Sequence, residues 1–184
     1  MEIDFSDTRK RLGRRADAFE FIAKSLWALQ RPISIVETGC ARQADNWEGD
    51  GQSTLVWEWL INFCGGTGIS FDISPVSTAY ARTQVKKMQI EQIDSVTGLR
   101  SIANPQAIDF LYLDSFDLTE TNESAIHHLA ELTSVYARLR SGCIIAVDDC
   151  FSDTKGKHLA VAAFLNWLGV QPVLRSYVTV WVKP

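Results

Sequence analysis

The chain has 184 residues, of which 46% are hydrophobic and 22% are charged, and its formal net charge at pH 7 is -4. This composition is typical of one globular domain with a substantial core, which we expect to span residues 1–184. The negative charge argues against an extended nucleic-acid surface, and no apolar run approaches the roughly 20 residues of a membrane span.

The cysteines and the amino-terminal residues indicate the cellular compartment in which the protein is expected. The four cysteines form no CxxC pair and are accompanied by no histidines at zinc spacing; they are Cys40, Cys64, Cys143 and Cys150. Reduced thiols fit this pattern best. The first residues lack the basic and apolar regions of a signal peptide. We therefore expect a cytoplasmic protein.

The first predicted element is an amphipathic helix from Asp7 to Gln30, which Pro32 ends. We expect this segment, within residues 1–31, to pack on the domain, and its Trp27 could lie at the interface of a homodimer. The helix carries a run of basic residues whose simplest interpretation is a solvated face. They are Arg9, Lys10, Arg11, Arg14 and Arg15.

Short apolar strands then alternate with helices. Strands are predicted at 33–37, 68–72, 88–93, 108–113 and 143–147, with helices at 51–64, 76–87, 96–102, 122–140 and 157–168. Two further strands, 170–176 and 177–183, have almost no connection and should be antiparallel. The pattern predicts an α/β fold, a Rossmann-like doubly wound sheet of seven strands that is mostly parallel with an antiparallel C-terminal hairpin.

Acidic residues follow the ends of these strands. They are Glu37, Asp72, Asp94 and Asp114 after the first four strands, and Asp148 with Asp149 after the fifth. The carboxyl ends of parallel strands share one edge of a sheet, where open α/β folds bind ligands. Burying this much negative charge is costly unless a cation or a ligand compensates. A binding site is therefore predicted at this edge.

The residues at this edge match the chemistry of an adenosine that carries an amino acid. Asp72 could grip two ribose hydroxyls and Glu37 an ammonium group, while Gly39 would let the backbone approach the ligand. The spacing does not match G-x-G-x-x-G, so dinucleotide binding is poorly supported. The candidate cofactor-binding residues are Glu37, Gly39, Ser53, Asp72, Asp94, Ser95 and Asp114.

Four segments carry a resemblance to a known family: Val36-Glu37-Thr38-Gly39-Cys40, Gly51-Gln52-Ser53-Thr54, residues 110–117 and Val147-Asp148-Asp149. They resemble class I S-adenosylmethionine-dependent methyltransferases. Within that superfamily they are most similar to the small bacterial and phage O-methyltransferases of the macrolide and catechol O-methyltransferase type. The resemblance covers nearly the whole chain. It implies S-adenosylmethionine as cofactor and a hydroxylated small molecule as methyl acceptor.

The resemblance also implies a metal site. In catechol-type relatives a carboxylate after the fourth strand and two oxygen ligands after the fifth hold Mg²⁺, and the matching residues are Asp114, Asp148 and Asp149. The alternative is that one aspartate of the pair caps a loop while Asp114 contacts cofactor or substrate without metal. The lysine base of those relatives is missing, because the nearby position is Asp117.

Candidate catalytic residues are Asp114, Asp148 and, as a base within the long helix, His128. Two alternatives to a metal-assisted O-methyltransferase stay open. One is a metal-independent N- or O-methyltransferase, and the other is a protein that binds S-adenosylmethionine without catalysis.

Overall fold

The computed structural model describes residues 5–49, 52–118 and 122–184. Within these ranges the α-helices are α1 (Ser6–Leu12), α2 (Ala16–Trp27), α3 (Ser53–Cys64), α4 (Pro75–Gln84), α5 (Ser95–Ser101), α6 (Glu123–Val135) and α7 (Leu159–Trp167). The strands are β1 (Ile33–Thr38), β2 (Gly66–Asp72), β3 (Met88–Gln92), β4 (Phe110–Leu113), β5 (Ile144–Val147), β6 (Cys150–Ser152), β7 (Lys155–Gly156) and β8 (Thr179–Val182).

The main sheet has the strand order β3-β2-β1-β4-β5-β8. Strands β1 to β5 are parallel, and β8 runs antiparallel to β5. Each face of the sheet carries its own hydrophobic cluster, as expected when helices cover both sides. The predicted α/β, doubly wound, mostly parallel fold is confirmed.

The strand count differs from the prediction, because the main sheet has six described strands rather than seven. The segment predicted as a strand at 170–176 forms only a bridge between Leu174 and Val180. Pro172 has no N–H to donate and so interrupts a ladder there. The chain instead forms a separate two-stranded hairpin of β6 and β7, which was not predicted.

The N-terminal segment is two helices rather than one. Gly13 takes a φ of 51° at the end of α1, a left-handed value that an α-helix cannot continue through. A 3₁₀ turn, Gly13–Arg15, follows and leads into α2. Because α2 buries Phe19, Ile22 and Leu26 completely, it fixes this turn against the sheet.

The core beneath β1 and β4 is aromatic. Phe19 of α2 lies 4.6 Å from Trp57 of α3 and 5.6 Å from Tyr112 of β4, measured between ring centroids. Such contacts add to the free energy of burial and tie both helices to the middle of the sheet. None of the helices in the described ranges is long and apolar enough to cross a bilayer.

Candidate functional site

The carboxyl ends of the parallel strands meet in register at one edge of the sheet. Thr38 at the end of β1 pairs with Phe71 on β2 and with Leu113 on β4, and Leu113 pairs with Val147 on β5. The acidic residues at these ends therefore lie along one edge, as their positions in the sequence predict. They are Glu37, Asp72, Asp114, Asp148 and Asp149.

A cavity of about 240 Å³, here called the Gly39 cavity, opens at this edge. Its lining includes the predicted cofactor-binding residues Gly39, Ser53, Asp72 and Asp114. The Asp72 carboxylate accepts hydrogen bonds from the backbone N–H groups of Cys40 (3.0 Å) and Ser74 (2.7 Å). These two bonds fix the carboxylate at the rim of the cavity.

Gly39 sits where no other residue fits. Its φ is 77°, and a Cβ built on it would lie 2.5 Å from the carbonyl oxygen of Asp114. The backbone is held there because Gly39 donates to the Phe71 carbonyl (2.8 Å) and accepts from the Ser70 hydroxyl (3.1 Å). The turn after β1 therefore lies directly against the end of β4, with open space on its other side.

Glu37 is fully buried and is not part of the cavity lining. Its two carboxylate oxygens accept hydrogen bonds from the hydroxyls of Ser53 (2.6 Å) and Thr54 (2.7 Å) at the start of α3. Ser53 does line the cavity, so the contribution of Glu37 to the site is to orient the Ser53 hydroxyl. Burial raises the pKa of Glu37 to about 7, although the hydrogen bonds from Ser53 and Thr54 oppose this shift. Gly51, the first residue of this predicted motif, lies outside the described residues.

The raised pKa of Glu37 predicts a pH dependence of stability. Between its ordinary value of 4.5 and about 7 the folded protein binds more protons than the unfolded chain, so this residue makes stability fall as the pH rises. Glu37→Gln removes the effect. The free energy of unfolding of the variant minus that of the wild type should therefore increase from pH 4.5 to 7 in urea titrations. A difference independent of pH would contradict the assignment.

Asp94 and Ser95, predicted to bind the cofactor, do not line this cavity. The Asp94 carboxylate caps α5 by accepting from the backbone N–H (2.9 Å) and the hydroxyl (2.8 Å) of Thr97. Ser95 is buried, with its hydroxyl 3.1 Å from Nε2 of His127. Their positions in the structure are explained by helix capping and by a buried polar contact.

Five charged side chains behind the cavity form what we call the charge cluster: Arg15, Asp114, Asp148, Asp149 and Lys157. Arg15 and Lys157 are each no more than 3% exposed. Arg15 Nε lies 2.6 Å from Asp148 Oδ2, and its two terminal nitrogens donate to the carbonyls of Glu48 and Gly49, each at 3.0 Å. One guanidinium thus joins the N-terminal turn, the loop after β1 and the end of β5.

Lys157 connects the other two carboxylates. Its Nζ lies 2.5 Å from Asp114 Oδ1 and 2.9 Å from Asp149 Oδ2. Burial raises the pKa of Asp114, Lys157 opposes the shift, and Asp148 and Asp149 reinforce it. With every group ionised, three carboxylates face two cations and one negative charge remains. Asp114 is the member of the cluster that lines the Gly39 cavity.

The predicted magnesium site does not fit this arrangement. Asp114, Asp148 and Asp149 converge as predicted, but their oxygens are engaged by Arg15 and Lys157. Among the described residues no group of three or more histidine, cysteine or acidic side chains is arranged to hold a metal ion. The compensating positive charge comes from the protein, and the metal ligation that the resemblance implied receives no support.

The histidine predicted as a base is buried inside the fold. His128 is 0% exposed, with Nδ1 2.5 Å from the Ser124 carbonyl oxygen. Burial lowers its pKa to about 4, so the ring is neutral at pH 7. Neighbouring His127 lies 3.4 Å from Glu131, whose carboxylate also accepts a 2.5 Å hydrogen bond from Ser115 at the cavity wall. His128 therefore has no contact with the cavity and does not fit the role of base.

Two residues of the charge cluster escaped prediction. Arg15 was assigned with its neighbours to a solvated helix face, whereas it is buried. Lys157 lies far from Asp114 in sequence, whereas the lysine of the catechol-type relatives follows the strand-end aspartate closely. The available signal was the charge balance, since three carboxylates predicted at one buried edge require cations.

A second cavity, of about 490 Å³, is called the arginine cavity here. The cluster reaches it through Tyr177, whose hydroxyl donates to Asp149. Its lining includes Arg14, Phe151, Asp153, His158, Arg175 and Tyr177. Both cavities therefore border the same group of buried charges.

The fold is similar to that of solved methyltransferases. A protein from Streptococcus mutans assigned as a methyltransferase, SMU.1697c, solved in complex with S-adenosylhomocysteine, gives a TM-score of 0.62 at 14% identity, covering 93% of this chain and 98% of that one. CalS11, a TDP-rhamnose 3'-O-methyltransferase of calicheamicin biosynthesis, gives 0.65 at 18% identity, covering 93% and 81%. The N-methyltransferase NodS from Bradyrhizobium japonicum WM9 gives 0.58 at 10%, covering 98% and 99%.

At these identities the similarity establishes the fold. No family model matches the sequence, and no curated protein matches it. The neighbours transfer methyl groups to different kinds of acceptor, so they do not identify the acceptor of this chain.

Proposed function

We propose that this protein is an S-adenosylmethionine-dependent methyltransferase that acts on a hydroxyl group of a small molecule. The observation that carries the proposal is the Gly39 cavity. It lies at the carboxyl edge of a sheet shared with solved methyltransferases, with the carboxylates of Asp72 and Asp114 in its lining. The resemblance in sequence points independently to the same residues.

The lining of the Gly39 cavity has the chemistry that this cofactor requires. Gly39, packed against the end of β4, brings its main chain to the cavity wall, and the fixed carboxylate of Asp72 can accept hydrogen bonds from two ribose hydroxyls. Ile73 lies beside Asp72 and is 72% exposed, so it offers an apolar surface to a purine. Ser53, oriented by Glu37, can bind the amino-acid part of the cofactor.

Asp114 is the residue best placed for chemistry. When bound, the cofactor supplies a methyl group activated by a positive sulfonium, and an ionised Asp114 in the cavity lining would attract that charge. A carboxylate whose pKa is raised is also a better proton acceptor near neutral pH. Asp114 would therefore take the proton of the acceptor hydroxyl. Asp148, fully buried and paired with Arg15, would act by holding this arrangement in place.

Cofactor binding can be tested with a pair of glycine variants. Gly39 and Gly169 share a φ of 77°, but a Cβ on Gly169 would meet nothing within 4 Å, whereas one on Gly39 would clash with backbone. In calorimetric titrations S-adenosylhomocysteine should bind the wild type and Gly169→Ala alike. Gly39→Ala should bind at least tenfold more weakly.

The same titration tests the metal question. Adding Mg²⁺ or a chelator should leave the affinity unchanged, because the three aspartates are paired with Arg15 and Lys157. Absence of binding to the wild type would sink the proposed function. Equal binding by the wild type, Gly39→Ala and Gly169→Ala would instead show that the cofactor binds away from Gly39.

A further inference from the structure

The arginine cavity is built from aromatic and cationic side chains. Phe151 and Tyr177 meet edge to face, with ring centroids 5.2 Å apart. The Arg14 guanidinium lies 4.1 Å from the centroid of Tyr177 and 5.7 Å from that of Phe151. The cavity therefore has an aromatic wall with a guanidinium over it, an arrangement that cation–π attraction stabilises.

The positive charge in this cavity is poorly neutralised. Arg14 has no carboxylate partner among the residues that the structure describes. Arg175 faces Asp153 at 3.6 Å, but their side chains are 60% and 93% exposed, so the pair is weak and open to exchange. Two guanidinium groups thus share one exposed carboxylate, in a protein whose overall charge is negative.

A buried polar group is left without a partner at the same place. His158, also in the lining, is only 5% exposed, and its Nδ1 makes no hydrogen bond to any described residue. Burial and Arg175 lower the pKa of His158, so its ring is neutral at pH 7 and has one N–H to donate. An imidazole buried without a full set of partners is costly.

We propose that the arginine cavity binds an aromatic acid, a small molecule in which a planar ring carries a carboxylate or a phosphate. The oxyanion binds to Arg14 and Arg175, and the ring packs against Phe151, which is 45% exposed, because Arg14 and Arg15 already lie over the Tyr177 ring. A volume of about 490 Å³ suits a ligand of this size. The site is separate from the Gly39 cavity, so the inference does not depend on the proposed methyl transfer.

Titration with 4-hydroxybenzoate and phenyl phosphate, followed by calorimetry and by the ring resonances of His158, tests the site and separates the two anions. Neutral 4-hydroxybenzyl alcohol tests the need for charge, and cyclohexanecarboxylate tests the need for a planar ring. We expect at least one aromatic acid to bind with submillimolar affinity and to shift the His158 signals. Both control compounds should bind at least tenfold more weakly.

Matched variants locate the binding. Arg14→Gln and Arg175→Gln should each weaken binding of the aromatic acid about tenfold, whereas Arg100→Gln, an exposed arginine on α5, should change nothing. Thermal unfolding of each variant shows that the fold is intact. The inference is overturned if neither acid binds, if the neutral alcohol binds equally, or if the Arg14 and Arg175 variants behave like Arg100→Gln. Since no cofactor is added, failure of S-adenosylhomocysteine binding leaves this result interpretable.

Discussion

Replacing Lys157 with methionine should lower the free energy of unfolding by about 3–5 kcal/mol at pH 7, the usual cost of removing one partner from a buried ion pair. The lysine is about as buried as any aliphatic core residue and its Nζ bridges Asp114 and Asp149. Methionine keeps most of the volume and removes the charge. Three carboxylates would then face Arg15 alone, and urea denaturation measures the loss.

The pH dependence of this loss identifies its cause. In the wild type, burial acts against the ionised form of Asp149, but Lys157, Tyr177 and Arg15 prevail and lower its pKa below the ordinary 3.8, so its stabilising contribution is constant between pH 5 and pH 8 and is lost only at lower pH. In Lys157→Met the unpaired carboxylates have raised pKa values and take up protons on folding. The deficit should therefore shrink between pH 8 and pH 5.

The control is Lys155→Met, two residues earlier on the same hairpin. Lys155 is exposed, so this variant should stay within about 0.5 kcal/mol of the wild type at every pH. A Lys157 deficit below about 1 kcal/mol, or one that does not change with pH, would show that the charge cluster is not the stabilising element inferred here.

The sequence predicted the sheet and its acidic edge because both depend on local patterns. Short apolar runs alternate with helical segments, and each run is followed by an acidic residue. Parallel strands then bring Asp72 and Asp114 to one edge whatever the details of the loops. Gly39 was recognisable for a related reason, since a glycine directly after a strand is where a backbone must turn sharply or approach a ligand.

The neutralisation of that edge could not be predicted in the same way. Arg15 lies in a run of basic residues in which helical spacing does not single it out, and it turns inward because Gly13 breaks the helix just before it. Lys157 reaches Asp114 only because β6 and β7 fold back on the end of β5, and those strands are too short and exposed to give a pattern. Both contacts are tertiary.

Asp94 differs from Arg15 and Lys157, because its role in the structure has a local sequence pattern. That pattern is typical of a helix N-cap, but the residue was predicted to bind the cofactor. An aspartate followed three residues later by a threonine, at the start of a helix, is a common N-cap arrangement. The structure has that cap, with Thr97 N–H donating to Asp94. The acid at the end of β3 thus caps a helix and lies outside the lining of the Gly39 cavity, whereas Asp72 lines that cavity.

Arg15→Met should also cost about 3–5 kcal/mol, because it leaves Asp148 buried without its cation, held by the hydroxyl of Tyr112 and the backbone N–H of Asp149. Arg15→Lys should recover less than half of the loss. A lysine ammonium cannot reproduce the planar fork that contacts Asp148 and the carbonyls of Glu48 and Gly49 together. Lys10→Met, on the exposed face of α1, is the matched control and should be nearly neutral.

A double-mutant cycle with Asp148→Asn isolates the pair from its surroundings. If Arg15 stabilises the fold mainly by neutralising Asp148, the double variant should be more stable than the sum of the single losses predicts, with a coupling energy of at least about 1.5 kcal/mol. Additive losses would mean that the contacts to the Glu48 and Gly49 carbonyls dominate, and that Arg15 acts by holding the loop after β1. Because Asp148 is fully buried, the coupling should persist in high salt, where an exposed pair would lose it.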